Sequence, residues 1–273
     1  MPSRVIRVTE VGWKAWRLVD GASAATVVAA LSRSLYLEVA GEIVWLGPPG
    51  STLHGRAVVA GVPLDVDGAT RIETAFDLRA AREWRPRPLD QAIDPAVLAR
   101  ESRRLVGVVH RAGRPDGFGA LLVGRRPTFP LDQAAERAHR FLEACARNDP
   151  ATATTMGERL LGLGPGLTPA GDDLVGGAFF ARRLIGGWQD AAAAMRAQAC
   201  ERTHPISATL LGDLLDGSGH APLHDLALAL TRSDEAAALD AAARLVRIGH
   251  SSGWDILTGF LGALGALAAR PEN

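Results

Sequence analysis

Asp173 and Asp255 sit in two copies of one short pattern, Gly171-Asp172-Asp173-Leu174-Val175-Gly176-Gly177 and Gly253-Trp254-Asp255-Ile256-Leu257-Thr258-Gly259. Each copy follows a turn that carries a hydroxyl residue, Thr168 in the first and Ser251-Ser252 in the second. Each also opens an apolar helix with a glycine one turn after the aspartate. A helix start leaves backbone N–H groups without intrahelical partners and presents the positive end of the helix dipole, which suits an anion. Two such starts facing each other bring Asp173 and Asp255 together between two sets of donors, an arrangement that can hold a small polar ligand or a water-bridged divalent ion. The plainer reading is two capped, glycine-packed helices from a duplicated hairpin, each aspartate stabilising its own N-terminus. Capping accounts for one acid per helix, but not for hydroxyl, glycine and aspartate combined twice.

The first copy ends a longer run, Gly162-Leu-Gly-Pro-Gly-Leu-Thr-Pro-Ala-Gly-Asp-Asp173. Gly162, Gly164 and Gly166 let the backbone approach a ligand or another segment closely, and Thr168 before Pro169 reads as a cap with proline at the first helical position. The run is not a known phosphate loop: no lysine follows, and Pro169 stands where a dinucleotide fingerprint needs its third glycine. His250, directly before Ser251-Ser252, is the best candidate for a proton donor or substrate ligand. His204, in Thr203-His-Pro-Ile-Ser207, opens another hydroxyl-rich helix start where capping by Thr203 or Ser207 competes with chemistry. His54, with Ser51, Thr52 and Arg56, precedes a strand and offers an anion contact. His110, His139, His220 and His224 show no metal-ligand grouping, and Pro222 spoils a shared helical face for the last two, so no zinc site is expected. The chemistry is thus assigned to His250, Asp173 and Asp255. Substrate or anion contacts are assigned to Gly164, Gly166, Thr168, Gly171, Asp172, Ser251, Ser252, Gly253, His54, Arg56, His204 and Ser207.

These residues need two kinds of scaffold. Up to about residue 130, β-favouring runs dominate: Val5–Val8, Ala15–Val19, Leu35–Val39, Ile43–Leu46, Arg56–Ala60, Leu105–Val109 and Phe118–Val123. Gly41-Glu42 suits a type II′ turn between the third and fourth of them. Asp94–Arg104 is the one helix expected here, opened by an Asp94-Pro95 cap. Arg82–Pro88, with Trp84 between arginines, reads as an exposed connector. Beyond residue 130 the apolar period becomes helical, over Leu131–Asn148, Ala170–Ile185, Asp190–Arg202, Ile206–Leu215, Leu223–Leu230, Asp234–Val246 and Gly253–Ala269, with Ser233 capping the sixth. The expected fold class is α+β, a β-rich domain over residues 1–130 followed by an all-helical domain over 131–273.

Composition narrows the function. Thirty basic and 30 acidic residues give zero formal net charge, which removes the simplest case for nucleic acid. Lys14 is the sole lysine, excluding a lysine Schiff base or phosphate-loop lysine anywhere else. Cys145 and Cys200 are isolated, as expected of thiols in a reducing compartment. Met1–Glu10 lacks the apolar core of a signal peptide, and the uncharged stretch Ile256–Ala269 is too short and too glycine-rich for a membrane span. These features read as a cytoplasmic protein with neither nucleic acid nor membrane as partner.

The glycine run 162–173, together with Ile248-Gly-His-Ser-Ser-Gly-Trp-Asp255, resembles the AllH family, whose namesake is assigned as a subunit of oxamate carbamoyltransferase. The similarity takes in the Thr203–Ser207 region and the His54 strand start as a likeness of layout; Ala170 stands where many relatives carry serine. The resemblance implies a partner-dependent carbamoyl transfer between oxalurate and phosphate, yielding oxamate and carbamoyl phosphate, with FdrA-like and AllG-like subunits. Such chemistry needs a polarised carbonyl, two anions held close together and control of protons, with no organic cofactor. Arg56 offsets charge, His250 moves a proton, and Asp173 with Asp255 orients an amide nitrogen or Mg²⁺ in this expectation. The alternatives are a non-catalytic assembly subunit that docks a synthetase-like, FdrA-like partner, and a small-carboxylate-binding protein.

Overall fold

The computed structural model describes residues 4–64, 71–72, 74–88 and 93–267. Chain contacts divide into two units, Met1–Pro86 and Arg87–Asn273. A strand-rich N-terminal region is followed by helices, as the change of period along the chain requires.

In the first unit, strands β1 (Arg4–Gly12), β2 (Ala25–Ala30), β3 (Leu35–Val39), β4 (Glu42–Gly47), β5 (Ala57–Ala60), β6 (Arg71–Ile72), β7 (Thr74–Asp77) and β8 (Arg82–Trp84) make one sheet. Its order is β6-β2-β3-β4-β5-β1-β7, with β8 also paired to β1. Val8, Val11, Leu37, Val44, Leu46 and Val58 fill its core. The hairpin of β3 and β4 pairs Val39 with Glu42, so its two-residue loop is Ala40-Gly41, one residue earlier than expected. Both loop residues have positive φ, 52° and 80°, which makes the turn type I′ rather than II′. Ala15–Val19 is not a strand: it belongs to helix α1 (Trp13–Val19), which buries Ala15 and Val19 one turn apart. Arg82–Trp84, expected in a connector, pairs with β1 as β8.

The second unit contains α2 (Pro95–Val108), α3 (Ala135–Ala146), α4 (Pro150–Glu158), α5 (Ala170–Ile185), α6 (Gln189–Arg202), α7 (Pro205–Leu215), α8 (Ala221–Thr231), α9 (Glu235–Leu245) and α10 (Ser252–Ala263). Asp94 caps α2 through the Ala96 N–H at 2.8 Å. Leu105–Val109 is no strand but the end of α2 and the start of a 3₁₀ turn, because Leu98, Leu105 and Val109 continue one buried helical stripe. Phe118–Val123 likewise lies in a 3₁₀ segment, Gly117–Val123, closed by Gly124. These two segments place 87–130 on the helical side of the division. The last helix ends at Ala263, and positions 268 and 269 of its expected span lie outside the described residues.

The helices α3-α4-α5 and α8-α9-α10 are wired alike. Asn148 (φ 59°) and Ser233 (φ 53°) turn the chain after α3 and α8. Asp149 and Asp234 then donate their N–H groups to Ala144 O and Ala229 O at 2.9 and 3.0 Å. The same two aspartates cap α4 and α9 through Thr152 N and Ala237 N, both at 3.0 Å; Asp234 thus takes the place expected for Ser233. Leu163 N–H to Leu160 O and Gly171 N–H to Leu163 O, at 3.1 and 2.9 Å, are matched by Ile248 to Leu245 and Gly253 to Ile248, both at 3.0 Å. The loops between these bonds differ in length, spanning 164–170 in the first triplet and 249–252 in the second.

The contact of α5 with α10 is reciprocal. A Cβ on Gly177 would stand 2.1 Å from Ile256 O, and one on Gly259 would stand 2.0 Å from Leu174 O. Only glycine lets the two backbones touch in this way. The crossing lies one turn beyond Asp173 and one turn beyond Asp255, and it sets the two helix starts side by side.

Candidate functional site

The two starts meet through hydroxyls. Thr168 Oγ1 lies 3.2 Å from Ser252 Oγ. Thr168 does not cap α5 as expected; Pro169 occupies the cap position and Thr168 is spent on this cross-link. Asp173 is 8% exposed and Asp255 is fully buried. Phe118 donates its N–H to Asp255 Oδ1 at 2.6 Å. Gly117, at φ 55°, packs so closely that a Cβ would stand 2.4 Å from the same oxygen. The Oδ2 atoms of both aspartates are buried without a hydrogen-bond partner.

Burial sets the electrostatics. It raises the Asp255 carboxyl to about 7, against the pull of the Phe118 N–H and the Ser251 hydroxyl and with a further push from Asp116. Asp173 is raised well above the ordinary carboxylate range, first by burial and then by the Asp255 charge, while Ser252 lowers it. None of the interactions that set these two carboxyls comes from a cation. For Asp173, burial and the neighbouring negative charge thus act in the same direction, both against its ionised form.

Asp172 points elsewhere. Gly162 N–H donates to its Oδ1 at 2.8 Å, and Ser207 Oγ donates to Oδ2 at 2.6 Å together with the Thr203 hydroxyl. Burial raises this carboxyl and the three donors lower it. Asp172 therefore ties the glycine loop to the start of α7, and the hydroxyls flanking His204 serve that tie. His204 is itself the cap of α7, its Nδ1 accepting from Ile206 N at 3.2 Å.

The structure also accounts for amides that the sequence left open. Gly171 donates to Leu163 O and Gly253 to Ile248 O. Asp172 and Asp173 both donate to Pro169 O, at 3.0 and 3.2 Å, and Asp255 donates to Ser251 O at 2.9 Å. Most first-turn donors of both helices are thus engaged within the protein. In the loop before α5, the N–H groups of Gly164, Gly166, Leu167 and Thr168 have no protein acceptor among the described residues.

His250 stands at the rim, 96% exposed, with Nε2 3.4 Å from Asp116 Oδ2. Asp116 also takes the Gly117 N–H at 2.7 Å. Asp116, Gly117 and Phe118 are functional neighbours that the sequence analysis does not single out; the signal is the Asp-Gly-Phe-Gly string, which straddles the start of the expected strand Phe118–Val123. His54 and Arg56 belong to the first unit: His54 Nδ1 accepts from Arg56 N at 3.4 Å, and the Arg56 guanidinium binds Glu42 at 2.8 Å. Burial pushes His220 and His224 down to about 4, so both are neutral at pH 7.

Among the described residues no three His, Cys, Asp or Glu side chains form a group able to hold a metal ion. No helix among the described residues is long and apolar enough to cross a membrane. No curated protein and no solved structure matches the chain. Residues 160–264, which run from the glycine loop through α10 and contain both Gly-x-Asp motifs, match the family model described as oxamate carbamoyltransferase subunit AllH, the family that these motifs resemble in sequence.

Proposed function

We infer that the chain is the AllH-like subunit of a carbamoyltransferase complex, acting on oxalurate and phosphate to give oxamate and carbamoyl phosphate. The observation that carries this reading is the meeting of Asp173 and Asp255 in one buried place, each with an unpartnered oxygen, inside the segment that matches the AllH model. An amide nitrogen of the substrate is oriented by this pair. The amides of Gly164, Gly166 and Thr168 serve the anionic part of the substrate, in place of the first-turn donors that the helices use themselves. His250, exposed and next to Asp116, moves protons at the rim. Mg²⁺ would find two carboxylates here, one already hydrogen bonded to Phe118, against the six oxygen ligands it prefers.

A second reading, an assembly subunit that docks a synthetase-like partner, is favoured by the glycines. Close backbone approach explains Gly171, Gly177, Gly253 and Gly259, each of which would set a Cβ within about 2 Å of a carbonyl oxygen. The two readings separate in the complex reconstituted with FdrA-like and AllG-like subunits. Exchanging both Asp173 and Asp255 for asparagine is expected to cut phosphate-dependent oxalurate cleavage by about 100-fold or more with assembly intact. Full activity in the doubly substituted complex would assign this chain to assembly.

A further inference from the structure

Residues 116–119 meet the start of α10 one by one. The Asp116 side chain takes the Gly117 N–H at 2.7 Å and its carbonyl takes the Gly119 N–H at 2.8 Å, so the turn is fixed from within. Gly117 then lies against the Asp255 carboxyl: a Cβ there would stand 2.4 Å from Oδ1, 2.9 Å from Oδ2 and 2.9 Å from Ser251 Cβ. Phe118, itself fully buried, brings its N–H to 2.6 Å from Oδ1. At Gly119 a Cβ would stand 2.9 Å from the Trp254 ring. This clamp is no part of the duplicated wiring, because residues 116–119 lie outside both helix triplets. Packing asks only that the segment fill space; it does not ask for a backbone donor on a buried acid. The result is that Oδ1 is committed, while Oδ2 of the same fully buried residue has no partner. An unpaired buried polar atom costs stability, and it marks a place where a bound group can complete the bonding.

We propose that Asp116-Gly117-Phe118-Gly119 is the positioning element of the site: Gly117 and Phe118 fix the Asp255 carboxyl so that Oδ2 alone is offered to an N–H of an amide or ureido ligand. The ligand class rests on the carbamoyl-transfer reading; the placement of the carboxyl does not. Gly117 makes that placement possible by having no side chain. At φ 55° and against both carboxyl oxygens, every other residue is strained there and pushes the carboxyl off the Phe118 N–H. Gly117 and Phe118 thus act on the ligand through Asp255, as positioning residues. The accuracy matters, since misplacing a reacting group by about 1 Å costs on the order of 100-fold in rate.

NMR of the full-length chain labelled with ¹⁵N-phenylalanine reads the placement without any substrate. The Phe118 amide proton is expected downfield of those of the other phenylalanines, as a short bond to a carboxyl requires, and is expected to move upfield in Asp255→Ala and in Gly117→Ala. A signal that either substitution leaves in place overturns the proposal. In the reconstituted complex, Gly117→Ala is expected to lower kcat for oxalurate cleavage by about 100-fold with KM little changed. In the Asp255→Ala background the same substitution is expected to lower the residual activity by less than about twofold. Losses of equal size in the two backgrounds would mean that Gly117 acts through the fold at large, and would overturn the positioning role. Should Gly117→Ala alone fail to fold, adding Asp255→Ala makes room for the methyl and is expected to restore folding; no restoration overturns the clamp. Full oxalurate activity in Gly117→Ala would sink this inference and leave the carbamoyl reading standing. The expected Phe118 shifts in a complex inert toward oxalurate would do the reverse.

Discussion

At the residue scale, the three aspartates of the two motifs differ in what surrounds them. Asp172 is satisfied by three donors, so Asp172→Ala leaves the Gly162 N–H and the Thr203 and Ser207 hydroxyls without an acceptor. A loss of about 3 kcal/mol or more is expected by urea unfolding, with Asp172→Asn costing less. Asp255 is the opposite case, a carboxyl raised by burial from 3.8 to about 7. The folded state then binds more protons than the unfolded chain between these values. Its stabilising contribution is complete below about pH 4 and is lost as pH rises to about 7. That swing is worth on the order of 4 kcal/mol for this group alone. Melting temperature followed from pH 4.5 to 8 should therefore fall through the neutral range in the native sequence and fall less in Asp255→Asn. A native profile as flat as the variant's would contradict the assigned environment. Asp173 and Asp255 were legible as a pair from the repeated pattern. Which acid was satisfied was not, because Ser207 and Phe118 reach these carboxylates from distant parts of the chain.

At the element scale, the starts of α5 and α10 meet because glycines bring the backbones into contact. Gly177→Ala and Gly259→Ala each push a methyl into a carbonyl oxygen that is itself part of a helix and cannot step aside. Each is expected to destabilise by about 3 kcal/mol, at the upper end of overpacking costs. Gly107→Ala in α2, where a Cβ meets nothing within 4 Å, is the control and should stabilise by up to about 1 kcal/mol. Equal effects in chemical denaturation would mean that the helices do not touch in this way. Helical period and caps made most of this half readable, Asp94-Pro95 among them. α4 escaped notice because its Thr- and Ala-rich sequence carries a weak apolar stripe, although Asp149-Pro150 opens it as Asp94-Pro95 opens α2. Phe118–Val123 misled in the other direction, since its apolar residues are buried all round in a short 3₁₀ segment and therefore lack a helical alternation.

At the scale of the whole molecule, the change from strands to helices was legible because the two periods differ. The contacts divide the chain at Pro86, ahead of the change in period, since α2 and the 3₁₀ segments join the helical core. Each unit has its own buried cluster. Residues 87–273 expressed alone should unfold cooperatively in calorimetry, and a broad, non-cooperative transition would contradict the division. All the groups around the Asp173 and Asp255 pair lie within this second unit, which also contains the whole family match. The most direct test of the account is thermal unfolding of the full chain with phosphate, carbamoyl phosphate, oxamate, oxalurate or Mg²⁺, because a ligand of the native state alone raises stability by RT ln(1 + [L]/Kd). A dose-dependent rise is predicted with carbamoyl-bearing or oxamate ligands, absent with unrelated anions and abolished when Asp173 and Asp255 are both asparagine. The same rise in that double variant, or no rise with any of these ligands, would contradict a site built on the two aspartates.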